Sequence, residues 1–308
     1  MVRKHGFFLS LALLLLGGAA AMRGDFEHEV NLSSVLELWG DVLRDADQFG
    51  LKLTRVSEQE EMRLGKELVN VAKGWGRETP ASAQYVSAVG QALQPHVKRK
   101  GIQYQFHVIE ADGVVNAFAL PGGQIFFTTG MLNFLQSEAE LAAILGHEIS
   151  HVDLRHCIER FQLELAFKKV GAGGIGQLAE IARSLVALEY NKYQELEADA
   201  HGIRLSVDAG YDPGAGAAVF ERMKRHFGER TAGKAKTPIG EVTHALGDAL
   251  VSYFQSHPPS ADREQRLKSL VARNRERLAG RALYVGVENY RQKIPRSQQE
   301  FPGERRGP

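Results

Sequence analysis

Two histidines four residues apart enclose a glutamate in the segment His147-Glu148-Ile149-Ser150-His151, inside the otherwise apolar run LAAILGHEISHVDLRH at 141–156. On a helix, residues at i and i+4 project from one side, about 6 Å apart along the axis, so both imidazoles can address one ion. Glu148 lies about 100° round the helix from His147. It is poorly placed as a third ligand but well placed to face a water beside the ion and act as its general base. That arrangement is the physical content of the H-E-x-x-H spacing, and its chemistry is zinc-assisted hydrolysis. The competing reading, two satisfied core histidines, requires three residues, two of a rare type, to fall into this spacing by chance.

A catalytic zinc needs a third protein ligand and an open position. The same segment does not supply it: a glycine and a histidine three and six residues after His151 would do so, but those positions hold Leu154 and Cys157. His156, five residues on, is expected beside the ligands or at the surface. The third ligand therefore comes from another helix. YQELEADAHG at 193–202 offers Glu195 and Asp199, four apart on one face, with Glu197 displaced from both. One of the pair can bind the metal while the other orients a ligand histidine. A solvated acidic face is the plain alternative.

The elements that must position these groups are mostly helical. Ser57 followed by Glu60 is a capping box opening a helix, and Pro80 opens another that carries Tyr85, Val86, Val89 and Leu93 on one side. After Gly101 the pattern alternates. Strands are expected within 102–110 and near 115–119 and 124–128, the last two joined at Pro121-Gly122-Gly123, as a small antiparallel sheet. A nearly continuous helix is expected over 137–168 and a long one from about 177 to 209, with further helices near 214–228, 241–254 and 260–278. GAGGIG at 171–176 satisfies a dinucleotide-binding pattern only formally, because a charged, helix-like segment precedes it where a strand is required; it reads as a flexible loop. The polar tail from Pro295 reads as disordered.

Composition bounds the rest. The chain has 308 residues, 44% hydrophobic and 24% charged, enough for a real core. A formal net charge of +1 gives no reason to expect a nucleic-acid partner. A single cysteine, Cys157, excludes an intramolecular disulfide and a cysteine-built metal site. Residues 1–21 have a basic start, an apolar stretch and an A-x-A end, and read as a cleaved secretory signal peptide rather than an uncleaved anchor. The expected location is an exported compartment, most simply a bacterial periplasm. No cysteine stands near residue 20, so a lipoprotein anchor is not expected.

HExxH followed by E-x-x-A-D at Glu195–Asp199 resembles the zinc metallopeptidase family of HtpX and the CAAX prenyl proteases, of gluzincin type. NAFALPGGQIFFTTGML, GHEISHVDLRH, ELEADAHGIRLSVDAGYDP and SHPPSADREQRL, in that order, are most similar to its periplasmic BepA and LoiP branch. The resemblance covers roughly residues 55–275. It implies an α+β fold, a mainly helical zincin-like metalloprotease domain with the small sheet beside the HExxH helix. It implies one Zn2+ per chain, held by His147, His151 and Glu195, with Glu148 as base and Asp199 supporting the ligands. It implies that His257 regulates by taking the fourth metal position, or helps to stabilise the oxyanion, and that Arg263 is an oxyanion donor. It implies that Asn116, Ala117 and Phe118 lie on an edge strand that pairs with substrate.

On this reading the chain divides into the signal peptide 1–21, an N-terminal helical segment 22–54, the metallopeptidase domain 55–280 and a C-terminal extension 281–308. The expected function is endoproteolysis of misfolded or unassembled exported proteins in the bacterial envelope, on extended or unfolded polypeptides, with outer-membrane assembly machinery as a possible partner. The alternative is a chaperone-like peptide-binding protein with a structural or latent zinc.

Overall fold

The computed structural model describes residues 56–167, 182–186, 189–231, 253–258, 261–278 and 281–306. The expected signal peptide, the segment 22–54, the GAGGIG stretch and all but the last two residues of the helix expected near 241–254 lie outside the described residues.

The first helix, α1 (Glu58–Ala72), begins as its capping box requires: Ser57 Oγ accepts the Glu60 amide, and the Glu60 carboxylate accepts the Ser57 amide at 2.9 Å. Helix α2 (Pro80–Leu93) buries Tyr85, Val86, Val89 and Leu93. Strands β1 (Gln105–Ile109), β2 (Ala117–Leu120) and β3 (Gln124–Thr128) form a sheet in the order β1-β3-β2. The turn between β2 and β3 needs φ of 76° at Gly122 and 83° at Gly123, which only glycine adopts freely. The sheet is mixed, where an antiparallel one was expected: β2 runs antiparallel to β3, but β1 runs parallel to it. The reason is the connection 110–116, which carries the chain past the β3 position to the far edge, so that β3 returns between the two. Ile125 and Phe127 point to the core shared with α2, while Phe126 and Phe118 point to the one shared with α1.

After the short α3 (Thr129–Phe134) comes α4 (Glu138–Asp153), capped by Ser137 and buried on nearly every side. The continuous helix expected over 137–168 is broken. Leu154 caps α4, Arg155 takes the left-handed conformation at φ 71°, and α5 (His156–Phe167) starts in a new direction. The expected helix 177–209 is also interrupted: residues 189–191 are not helical, and Asn191 caps α6 (Lys192–Asp208) in a capping box with Gln194. Helices α7 (Pro213–Thr231), α8 (Tyr253–Ser256) and α9 (Ala261–Arg277) follow.

Helices α4 and α6 touch backbone to backbone at Gly146 and Gly202. A Cβ on Gly202 would stand 2.7 Å from the His147 amide nitrogen and 2.8 Å from the Gly146 carbonyl carbon. Ser206 Oγ bonds the Ala142 carbonyl at 3.0 Å across the same seam. This contact sets the acidic helix one residue from the first histidine. Gly202→Ala is expected to force the helices apart, at a cost of about 1–3 kcal/mol for overpacking, and to weaken metal retention with it. Urea unfolding and zinc content of the purified variant measure the two effects.

The C-terminal residues are not disordered as far as Arg306. Strands β4 (Leu283–Tyr284) and β5 (Arg305–Arg306) pair, enclosing α10 (Val287–Gln292). The Glu304 carboxylate accepts the first amides of α10, and the Asn289 side chain bonds the carbonyls of Ile294 and Gln299. The Arg296 amide donates to buried Glu138, which also accepts the hydroxyls of Tyr85 and Tyr211. Tertiary hydrogen bonds thus order a segment whose composition is that of a loop, and the extension packs into the same unit as the domain before it.

Candidate metal centre

Helix α4 presents His147, Glu148 and His151, α6 presents Glu195 and Asp199, and the residue after α8 is His257; all six are buried. His147 Nε2 lies 3.0 Å from His151 Nε2 and 3.2 Å from His257 Nδ1. Glu195 Oε1 lies 2.9 Å from His257 Nδ1 and 3.4 Å from His151 Nε2. A tetrahedron of nitrogen and oxygen donors about 2.0–2.1 Å from a zinc ion has edges of about 3.4 Å. The four donors are therefore spaced for one ion. Three imidazole nitrogens converging on one point also cannot satisfy one another as donors and acceptors, whereas a cation satisfies all of them.

Electrostatics set the protonation states that a metal needs. Burial pushes His151 well below the ordinary histidine value and takes His257 down to about 4, so both rings are neutral. Burial alone would raise Glu195, but the Arg263 charge, helped by His257 and His147, holds it well below the usual carboxylate range.

The supporting groups fix each ligand. His147 Nδ1 stands 3.0 Å from Asp199 Oδ1, and Arg263 grips both oxygens of Asp199 at 2.9 Å through Nε and Nη2. Of the two acidic candidates, Glu195 thus faces the cluster and Asp199 orients a histidine. His151 Nδ1 faces His156 Nδ1 at 3.0 Å, and His156 Nε2 lies 3.4 Å from Glu197. With His151 Nε2 turned to the metal, its Nδ1–H donates to His156, whose other nitrogen then donates toward Glu197. His156 is thus a buried orienting residue.

Arg263, expected as an oxyanion donor, is engaged with the ligand set: Nη1 is 2.6 Å from Glu195 Oε2 and 3.0 Å from the Pro258 carbonyl, besides its grip on Asp199. It is a clamp that gathers α6, α9 and the His257 segment.

Glu148 Oε1 lies 3.5 Å from His257 Nε2, beside the cluster. Burial, then the Glu195 charge, raises its carboxyl well above the usual range, while the Tyr253 hydroxyl and the Ala119 backbone pull it down. Its raised affinity for a proton suits a group that takes one from water and gives it to an amine.

Strand β2 is the sheet edge by pairing, yet Asn116, Ala117 and Phe118 are all buried. Phe118 spends its ring on Phe126, stacked at 5.0 Å. The outer edge is partly taken up: the Tyr253 amide bonds the Val115 carbonyl at 3.1 Å, and Cys157 Sγ lies 3.7 Å from the Ala119 carbonyl. The expectation of an open edge is corrected to one covered by the segment that carries His257. The buried Asn116 amide has no hydrogen-bond partner among the described residues.

Two aromatic residues escaped sequence reading. The Tyr190 ring stacks 3.7 Å from His151 and 5.5 Å from His257, and its amide bonds the Ser256 carbonyl. Tyr253 stacks on His257 at 4.5 Å. Tyr253 stands four residues before His257, a spacing of about one helical turn, whereas Tyr190 lies outside any helix and left no periodic signal.

Comparison with known proteins agrees with this geometry. The chain is 32% identical over 208 residues to the mitochondrial metalloendopeptidase OMA1 of Arabidopsis thaliana, covering 62% of the chain and 37% of that protein. It is 28% identical over 207 residues to the metalloprotease LoiP of Escherichia coli, covering 63% of the chain and 73% of that protein. It is 25% identical over 211 residues to the beta-barrel assembly-enhancing protease of Escherichia coli, covering 62% and 42%. Against the OMA1 proteins of Arabidopsis and Schizosaccharomyces pombe the match spans 37% and 51% of the relative's length. The model of peptidase family M48 matches residues 80–271, a range that takes in both metal-bearing helices, His257 and Arg263. The chain belongs to peptidase family M48.

Proposed function

We propose that the protein is a zinc metalloendopeptidase of the bacterial cell envelope that hydrolyses misfolded or unassembled exported polypeptides. The observation that carries the chemical part is the convergence of His147, His151, Glu195 and His257 within 4.8 Å of one another, with Glu148 beside them. A zinc ion held there would supply Lewis acidity, acidifying water and polarising a peptide carbonyl. Glu148 takes the proton from the attacking water and returns it to the leaving amine. Arg263 and Asp199 keep Glu195 and His147 oriented throughout. The outer edge of β2 offers main-chain groups to an extended peptide once it is uncovered.

The envelope location rests on the signal-peptide reading of residues 1–21 and on likeness to the beta-barrel assembly-enhancing protease. That relative's name also suggests a link to outer-membrane assembly. The mitochondrial relatives support the metalloendopeptidase part alone. Among the described residues no helix is long and apolar enough to cross a membrane. Digestion of unfolded casein by zinc-loaded protein tests the activity: fragments accumulate with time, stop on chelation and resume with zinc. Intact casein throughout would refute it.

One observation favours a second state. His257 fills the fourth donor position while its own segment covers the β2 edge through Tyr253, so the site is closed on both counts. A chaperone-like binder with a latent metal would look the same. If the closed form holds nine-tenths or more of the population, opening it raises turnover about tenfold or more. His257→Ala is therefore expected to cleave casein about tenfold faster than wild type at equal zinc content. Casein retention without cleavage by both proteins would favour the binder.

A further inference from the structure

Arg160 is anomalous. It lies on α5, one turn beyond His156 and three residues beyond Cys157, and is 8% exposed. Its Nε, Nη1 and Nη2 are all buried without a hydrogen-bond partner among the described residues. Its guanidinium lies 4.4 Å over the Tyr190 ring, whose stacking partner is His151 at 3.7 Å. An arginine cannot shed its charge by deprotonation, and a guanidinium held out of water with no anion is costly. A cation–π contact supplies only part of what water supplied. Arg263, by contrast, pairs with Asp199 and Glu195, and His156 with Glu197. Among the described residues Arg160 is a cation there with no carboxylate within ion-pair distance, and it is one aromatic ring away from a metal-facing histidine.

Its position says what it waits for. Cys157, on the same side of α5, reaches the Ala119 carbonyl on the outer edge of β2. A polypeptide laid along that edge would displace Cys157 from the Ala119 carbonyl and so pass the side of α5 that carries Arg160. The planar fork of an arginine matches a carboxylate with two parallel hydrogen bonds. We infer that Arg160 is a specificity-determining residue that selects polypeptides placing a carboxylate beside the scissile bond. This rests on the protease reading above and adds a substrate class to it.

The test uses peptides with an amidated C-terminus that differ only in Asp or Asn at each position flanking one cleaved bond. Values of kcat/KM are measured for wild type, Arg160→Gln and Arg160→Glu, all zinc-loaded. At one position wild type prefers Asp by about tenfold, the worth of a hydrogen bond to a charged group. Arg160→Gln loses that preference, Arg160→Glu inverts it, and all three cleave the Asn peptide within about twofold of one another. Because Gln removes an unpaired buried charge, the Tm of Arg160→Gln equals or exceeds that of wild type. A parallel set with free C-termini separates the sources of the carboxylate: a preference confined to that set assigns Arg160 to the chain end. The same peptides, fluorescently labelled, are titrated into Glu148→Gln with and without Arg160→Gln, so that the discrimination is also read as binding. If wild type cleaves no peptide, the protease reading fails and the binding ratios alone decide on Arg160. Asp-to-Asn ratios that match in wild type and variants at every position, in rate and in binding, overturn the inference. So does an equal loss toward all peptides, which would make Arg160 a support for Tyr190.

Discussion

Glu148→Gln is expected to keep one zinc per chain and to lose casein hydrolysis by about 10²–10⁴-fold, the range that a positioned general acid–base contributes. The structure separates the two effects. The Glu148 carboxylate lies beside the donor cluster and outside the set of atoms that closes on one point. Gln has the same shape, so the packing of α4 is retained. Since burial already pushes Glu148 toward its neutral form, a neutral amide there costs little stability and can gain some. The variant lacks only a site that accepts a proton and returns it. Zinc analysis, thermal unfolding and casein digestion of one preparation therefore give three readings: full metal, unchanged or raised Tm, and near-zero rate. An undiminished rate would remove Glu148 from the mechanism, and a loss of zinc would place it among the ligands instead.

Stripping the metal is expected to destabilise the fold severely. Without a cation, His147, His151, His257 and Glu195 hold nitrogen and oxygen atoms 2.9–3.6 Å apart in a buried volume. A ligand present at 1,000 times its dissociation constant stabilises the folded state by about 4 kcal/mol. For a domain of 150–250 residues that corresponds to about 8–16 °C in Tm. Calorimetry before and after chelation should show a fall of that size, reversed by zinc and not by magnesium, which prefers oxygen donors. Acid should deepen the loss. His257 is neutral in the metal-free fold down to about 4, whereas in the unfolded chain it titrates near 6.5. Between those values the unfolded state binds the extra proton, so the stability of the metal-free protein falls as pH drops through that window. A Tm insensitive to chelation would mean that the cluster holds no structural charge.

Local physics made part of this legible from residues alone. The H-E-x-x-H spacing, the Ser57–Glu60 capping box, the turn glycines 122 and 123 and the shared face of Glu195 and Asp199 depend on near neighbours in sequence, and each appears as read. What escaped depends on distant residues. The break between α4 and α5 uses a left-handed arginine, a conformation that sequence assigns by default to glycine. The parallel pairing of β1 with β3 is decided by the path of a connection, not by alternation within the strands. Glu138, Asn289 and Glu304 order the tail through contacts that no local pattern announces. His257 directly follows a helix of four residues, too short to leave a periodic signal, and only the family resemblance points to it. Arg263 reads in sequence as an oxyanion donor; only the fold shows it engaged with Glu195, Asp199 and the Pro258 carbonyl.

The most direct test of the metal centre is the zinc-edge X-ray absorption spectrum of the purified protein. The account predicts four nitrogen or oxygen neighbours at about 2.0–2.1 Å, outer-shell scattering from three imidazoles, and its reduction to two in His257→Ala. A sulfur neighbour at about 2.3 Å, or a six-oxygen shell unchanged by removing Glu195, would contradict it.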